Sequence, residues 1–462
     1  MERAAEFRIL YYLIMLLFLQ DPSGRAFTRR EKIFYVLTAV FFISLFLPDM
    51  PVIVNLILAA YLPFLFFSMT TRDKLEVLWR RKEIFFMVLF FLLHIVSALL
   101  SVNQPEAWHM VILRLPLLVF PVSMGVYRVR REVRDRVLLA YSVIITLTAI
   151  ACLIYAITQA RFYHDTGFLY DDSLSHLVRR QSVYVALMVN IALFSYGYLL
   201  SRGVIVTRTG WVLVIAAMLF LAVFHFMLAS RISIITLYSG LVLYLLYGMV
   251  RSGGHWLRWA LPILGLGVLG VVVIKFAPKT LNRFRELNYT EYHFDSHAVE
   301  SHYNMQLTPD QWNGANLRLA IWKCGWELAG RHPLFGTPLG DKEDQLVAVF
   351  RERQFDFAAE RRRNMHNTYL DVLCNFGVIG VIVFLLGYIL LPLLSCYRFG
   401  DGLGAFIALA FAAAMVTETW PDKSVGCMLL AFFLSFLASA RGEEGAAAAK
   451  NEKTTAQALS RM

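Results

Sequence analysis

The chain alternates long apolar runs with short charged segments, and that alternation predicts its architecture. Apolar runs fall at 31–47, 50–68, 84–101, 108–127, 137–160, 181–200, 211–229, 232–250, 256–276, 369–397, 403–418 and 424–440. Each approaches the roughly 20 residues that a helix needs to cross the hydrocarbon core of a bilayer. The expected fold is therefore all-α: a polytopic transmembrane helical bundle of about twelve spans. A shorter run, Phe7–Gln20, reads as an interfacial or re-entrant helix, with a thirteenth span as the alternative. Asp21-Pro22-Ser23-Gly24-Arg25 follows it where a secretory signal would place small residues, so no cleavable signal peptide is expected.

One interval breaks the rhythm. Residues 277–368 form a polar stretch far longer than a connection requires, and long loops of this kind are usually functional. The predicted organisation is an N-terminal transmembrane region at 1–276 (about nine spans plus the interfacial helix), a large and mostly helical loop at 277–368, three spans at 369–440, and an Ala- and charge-rich tail at 441–462 expected to be disordered and cytoplasmic. Within the loop, Leu317, Ala320, Ile321, Cys324 and Leu328 recur at helical spacing, which predicts an amphipathic helix over Asn316–Gly330. His332-Pro333 ends it, Gly336–Gly340 is a turn, and Asp341–Arg363 reads as a second, highly charged helix.

Composition agrees with a membrane protein: 58% of residues are hydrophobic and 17% charged, against about 25% charged in soluble domains. The formal net charge of +11 does not indicate nucleic acid, because the basic residues sort by side. With the residues before the first span placed in the cytoplasm, inner segments carry 25 Lys and Arg and the short outer segments carry 5, while the large loop holds 12 basic and 12 acidic residues. The positive-inside rule then puts the loop outside, in a periplasm if the cell is Gram-negative. The excess charge is a topology signal and a match to anionic lipid. Cys152, Cys324, Cys374, Cys396 and Cys427 lie far apart without a CxxC, which argues against a disulfide framework or a zinc knuckle.

Three residues stand out as candidates for chemistry. Arg231 sits in Ala229-Ser230-Arg231-Ile232-Ser233, between two apolar runs with almost no linker. It is either an arginine snorkelling to the interface or one placed to meet a lipid-linked phosphate. Arg318 lies on the predicted loop helix, where a solvated face is the plain alternative. His366 stands where the loop enters an apolar span; it is a capping or packing histidine or a base at the membrane surface, since an imidazole titrates near neutrality. Arg180, beside Arg179, precedes the run 181–200 and could add positive charge to a phosphate site. Arg114 is an intramembrane charge, a functional candidate by default. Glu418 and Asp422, near the last hairpin, could contact an acceptor. His293, His297 and His302, with Asp295 and Glu300 nearby, lack a zinc signature, so no metal site is expected. Gly336–Gly340 lacks P-loop spacing, and no nucleotide use is indicated.

Two stretches carry a resemblance. "NLRLAIWKCGWELAGRHPLFGTPLG" (Asn316–Gly340) and "HNTYLDVLCNFGVIG" (His366–Gly380) resemble the O-antigen ligase family, within the wider superfamily of O-antigen ligases and polymerases. "ASRISI" around Arg231 and, more weakly, "RLPLLVFP" (Arg114–Pro121) are similar to further family patterns. Where members often carry His-Pro-Ser-Tyr, this chain has Arg180-Gln181-Ser182-Val183-Tyr184, which weakens a role there. The resemblance implies transfer of a glycan from undecaprenyl diphosphate to lipid A–core oligosaccharide at the periplasmic face of a bacterial inner membrane, with inversion and without metal or other cofactor. It implies that Arg231 and Arg318 bind the diphosphate and that His366 is the catalytic base. The expected partners are the lipid-linked donor, the lipid A–core acceptor and membrane lipids, and no nucleic acid. O-antigen polymerase and protein O-oligosaccharyltransferase remain as alternatives within the superfamily; a lipid or ion transporter is the alternative of another class.

Overall fold

The computed structural model describes residues 27–47, 51–251, 278–300 and 311–459, and among these the chain is helical with no strand. The first described helix, α1 (Arg29–Ser44), begins at a capping box in which Thr28 and Glu31 satisfy each other's backbone N–H groups. It is followed by α2 (Pro51–Phe66), the amphipathic α3 (Thr71–Arg80), α4 (Lys82–Leu99), α5 (Gln104–Leu113) and α6 (Pro116–Phe120), which runs on as a π-turn through Gly125. Next come α7 (Arg131–Tyr163), α8 (Ser182–Ser201), α9 (Arg208–Met227) and α10 (Arg231–Arg251). The loop contributes α11 (Pro278–Arg285), α12 (Asn316–Arg331), α13 (Lys342–Glu352) and α14 (Asp356–Glu360). Helix α15 (Thr368–Leu385) continues through a π-turn to Phe399, and α16 (Gly402–Thr417) and α17 (Ser424–Leu459) complete the chain.

Among the described residues six helices are long and apolar enough to cross a membrane: Lys82–Leu99, Arg131–Tyr163, Ser182–Ser201, Arg208–Met227, Thr368–Phe399 and Ser424–Arg441. The run expected at 108–127 is a pair, α5 and α6, bent by 42° at Arg114-Leu115 with Pro116 following, and it makes a seventh if counted as one span. Proline cannot donate to the preceding turn, which explains the break. The runs expected at 50–68, 232–250 and 403–418 yield shorter apolar helices, Leu56–Phe66, Arg231–Leu246 and Gly402–Thr417. The run at 31–47 yields α1, of 16 residues. The run at 256–276, the helix at Phe7–Gln20 and His302 lie outside the described residues.

The innermost element is α17, whose Ser424–Arg441 stretch is 94% buried. Between lipid-embedded helices there is little hydrophobic driving force, so close packing of small residues holds them; Gly426, Ala431, Ser435, Ala438 and Ser439 give α17 that character. The stretch after Gly442, expected to be disordered, continues this helix to Leu459, in keeping with the high helix propensity of its Ala446–Ala449 run.

The loop has an apolar core of its own. Trp312, Leu317, Ile321, Cys324, Leu328, Phe350, Phe355 and Met365 are buried together, apart from the larger cluster among the spans. The amphipathic helix expected at Asn316–Gly330 is α12. The second expected helix, over Asp341–Arg363, is instead broken into α13 and α14: Gln354 turns left-handed (φ 58°), which returns Phe355 into the core. Burying an aromatic of that size favours folding by about 1.5–3 kcal/mol, more than an extra helical turn contributes.

The loop docks on one end of the bundle. Asp341 accepts from the backbone N–H groups of Val102 and Asn103 at the start of α5. Leu339 and Gly340 donate to Ser97 and Ser101, and Arg283 pairs with Asp171 in the α7–α8 connection. At the other end, Arg81 donates to the Tyr127 carbonyl, Arg134 pairs with Asp401 and Arg441 reaches Asp401 and Glu83. The segments that charge counting placed on one side thus meet one another in space.

Candidate anion and base site

Three chain segments bring the site together. The first is the hairpin between α9 and α10, where Ala229 adopts φ 52° and Arg231 opens the second helix. The turn is too tight for Arg231 to extend into a loop, so its side chain points over the end of the bundle. There Nη1 donates to the Arg283 carbonyl at 2.8 Å and to Glu286 Oε2 at 3.3 Å. The second is the first turn of α12, which presents Arg318. Its Nη1 donates to the Gly314 carbonyl at 2.7 Å, its Nε to the Thr417 carbonyl at 3.3 Å, and its Nη2 to Glu418 Oε1 at 3.1 Å. The third is the entry to α15, where His366 adopts φ 45°.

Glycine 314 shows how closely the two arginines approach. A Cβ there would lie 2.9 Å from Arg231 Nη2, 3.2 Å from Glu286 Oε2 and 3.4 Å from Arg318 Nη1. Two guanidinium groups from distant parts of the chain therefore flank one point, and only a residue without a side chain leaves it open. Like charges so near each other need carboxylate partners, and Glu286 pairs with Arg231 while Glu418 pairs with Arg318.

Glu418 also joins the arginine to the histidine. Its Oε2 lies 3.2 Å from His366 Nδ1 while Oε1 takes the Arg318 bond. Burial alone would raise the Glu418 carboxyl, but the hydrogen bond and charge of His366, together with Arg318, hold it below the usual glutamate range. An ionised carboxylate can only accept, so Nδ1 carries a hydrogen, and whenever the ring is neutral Nε2 is the nitrogen with the lone pair. Arg318 and His366 retain 22% and 21% of their side-chain exposure, so both can be reached from outside.

A second, fully buried cluster lies below. Arg114 pairs with Asp422 at 2.9 Å and faces Asp371 at 3.6 Å, while Lys342 pairs with Asp371 at 2.7 Å. Arg114, whose partner the sequence left unnamed, thus has two. Asn364 reaches Asp422 at 3.5 Å, Thr368 donates to the Glu418 carbonyl at 2.7 Å, and the Trp420 N–H donates back to Thr368. These bonds lock residues 364–371 against 418–422, which sets the distance between His366 and Glu418.

Arg180 is not in this constellation: its Nε donates to the Leu45 carbonyl at the end of α1, and burial lowers its pKa. The expected role beside the arginine pair therefore has no geometric support. His293 and His297 lie in the loop, and no group of three His, Cys, Asp or Glu side chains gathers at metal-binding distance among the described residues. Nothing in the sequence pattern marks Glu286 or Gly314, and it marks Glu418 only as a candidate acceptor contact. A carboxylate after an apolar helix and a lone glycine look ordinary until the fold sets Glu418 between Arg318 and His366 and Gly314 between the two arginines.

Fold and site together define a helical membrane protein with an arginine pair beside a carboxylate-held histidine. Residues 216–385, just over a third of the chain, match the family described as O-antigen ligase. That match supports assignment of the chain to the O-antigen ligase family, a group of glycosyltransferase-like membrane enzymes. The matched segment contains Arg231, Arg318 and His366 and leaves out Arg180 and Glu418. No curated protein matches the chain significantly.

Proposed function

We propose that the protein is an O-antigen ligase that moves a glycan from undecaprenyl diphosphate to lipid A–core oligosaccharide at the periplasmic face of a bacterial inner membrane. The convergence of Arg231 and Arg318 on the open point at Gly314, next to the His366–Glu418 pair, carries this reading. Twelve spans and a periplasmic loop belong to the same proposal. The side proposed for the loop draws support from the basic-residue asymmetry and from the docking of the loop at the end away from Arg81, Arg134 and Arg441.

The chemistry follows from the parts. A glycosyl diphosphate leaving group gains negative charge as its bond to the anomeric carbon breaks. Arginine stays charged at any working pH and offers donors in a fixed fork that suits phosphate oxygens. Of the five N–H groups of Arg318, three are committed to protein oxygens, which leaves two for an incoming anion. His366 Nε2 accepts the proton of the acceptor hydroxyl as that oxygen attacks the anomeric carbon from the opposite face. Glu418 holds the ring in the tautomer this requires and stabilises the imidazolium that forms.

Deletion of the gene tests the assignment. The expected outcome is lipopolysaccharide without O-polysaccharide, with full-length polymer left on the carrier lipid. Single-repeat lipopolysaccharide would instead identify a polymerase, and loss of glycoprotein with normal lipopolysaccharide a protein oligosaccharyltransferase.

A further inference from the structure

The turn after α12 presents an apolar tip that the proposed chemistry does not use. Leu334 and Phe335 are 60% and 75% exposed, although the rest of the turn is tightly docked. Val378 N–H donates to the Pro333 carbonyl at 2.9 Å and Thr337 N–H to the Cys374 carbonyl at 2.6 Å. These bonds exist because α15 kinks at Gly377 (φ 61°, ψ −164°), which frees backbone groups inside a spanning helix. A side chain on Gly377 would strike the Leu334 carbonyl, and one on Gly336 would strike the α15 backbone. The two glycines let the turn lie directly on the helix.

What surrounds the tip is given by its neighbours. Val378, Ile379 and Ile382, on the flank of α15 beside the turn, are exposed apolar side chains of a helix that meets the requirements for a membrane span. Depth can be counted. From Arg398, the charge at the far end of that span, about 20 residues at 1.5 Å each cover the ~30 Å hydrocarbon core and end near Val378. The tip therefore lies at the opposite border of the core.

We propose that Leu334 and Phe335 insert into the acyl-chain border of the outer leaflet and anchor the loop to the lipid bilayer. The inference rests on reading Thr368–Phe399 as a span, and it is independent of the transfer chemistry. Its consequence is positional. Helix α12 carries Arg318 in its first turn and the tip just beyond its last, so the anchor fixes the depth at which the arginine meets a lipid-linked phosphate.

The test is a depth measurement on the full chain in phospholipid nanodiscs. Phe335→Cys and, separately, Leu334→Cys carry a nitroxide label; the native cysteines are all buried, so the introduced thiol is the accessible one. Ala348→Cys, exposed on α13, is the solvated reference. The expected result is that oxygen relaxes the tip labels several-fold more effectively than a water-soluble nickel complex does, with the opposite order at position 348. Nickel accessibility at both tip positions equal to that at 348 overturns the anchor. That outcome leaves the transferase reading intact, just as an inactive but lipid-inserted protein would leave the anchor intact.

Discussion

At the scale of single residues, the proposed mechanism turns on the carboxylate between Arg318 and His366. If Glu418 orients the imidazole, Glu418→Gln keeps the shape but no longer favours the hydrogen on Nδ1. Turnover in a purified transfer assay is expected to fall by about 10²-fold or more, with Glu418→Asp recovering part of it; unchanged turnover in the glutamine variant removes Glu418 from the mechanism. Gly314→Ala places a methyl 2.9 Å from Arg231 Nη2, so the donor KM is expected to rise several-fold while folding is retained. The acid response has a definite sign. The folded Glu418 carboxyl lies below its usual range because His366 and Arg318 outweigh its burial. Its contribution to stability is therefore complete above the unfolded value of about 4.3 and is lost as pH falls through the lower folded value. The stability difference between wild type and Glu418→Gln, measured by thermal unfolding in detergent, is expected to shrink as pH falls below about 4.3.

At the scale of elements, the buried Arg114–Asp422 and Lys342–Asp371 pairs hold the loop helix α13, the kinked span α15 and the segment before α17 in register. Removing one partner of such a pair leaves a buried charge and typically costs about 3–5 kcal/mol. Lys342→Met is expected to lower the unfolding temperature markedly, and adding Asp371→Leu to restore part of it. A second substitution that deepens the loss contradicts this account of the cluster. Helix-forming runs were legible in the sequence because their period and length are local properties. The break of Asp341–Arg363 at Gln354 was not, since it depends on Phe355 finding a core made by Trp312 and Phe350. The arginines and the histidine were legible through residues resembling a family; Glu418, Glu286 and Gly314 became visible only when helices far apart in the chain came together. Arg180 shows the reverse: a basic residue beside a span looked suited to phosphate, and the fold spends it on the Leu45 carbonyl.

At the scale of the whole molecule, the protein combines a bundle of apolar helices with a polar loop that has an apolar cluster of its own, and the proposed reactive groups sit where the two meet. Neither part suffices. Arg231 comes from a hairpin of the bundle, Arg318 from the loop, His366 from their junction and Glu418 from the end of α16. This division suits a reaction whose donor is anchored in lipid and whose acceptor sugar is solvated. The most direct measurement is glycan transfer by the purified protein in nanodiscs, supplied with undecaprenyl-diphosphate-linked glycan and lipid A–core in the presence of a metal chelator. The account predicts transfer by the wild type and none by His366→Ala, which still binds the lipid-linked donor. Normal turnover by His366→Ala, or no transfer by the wild type to this acceptor, would contradict it.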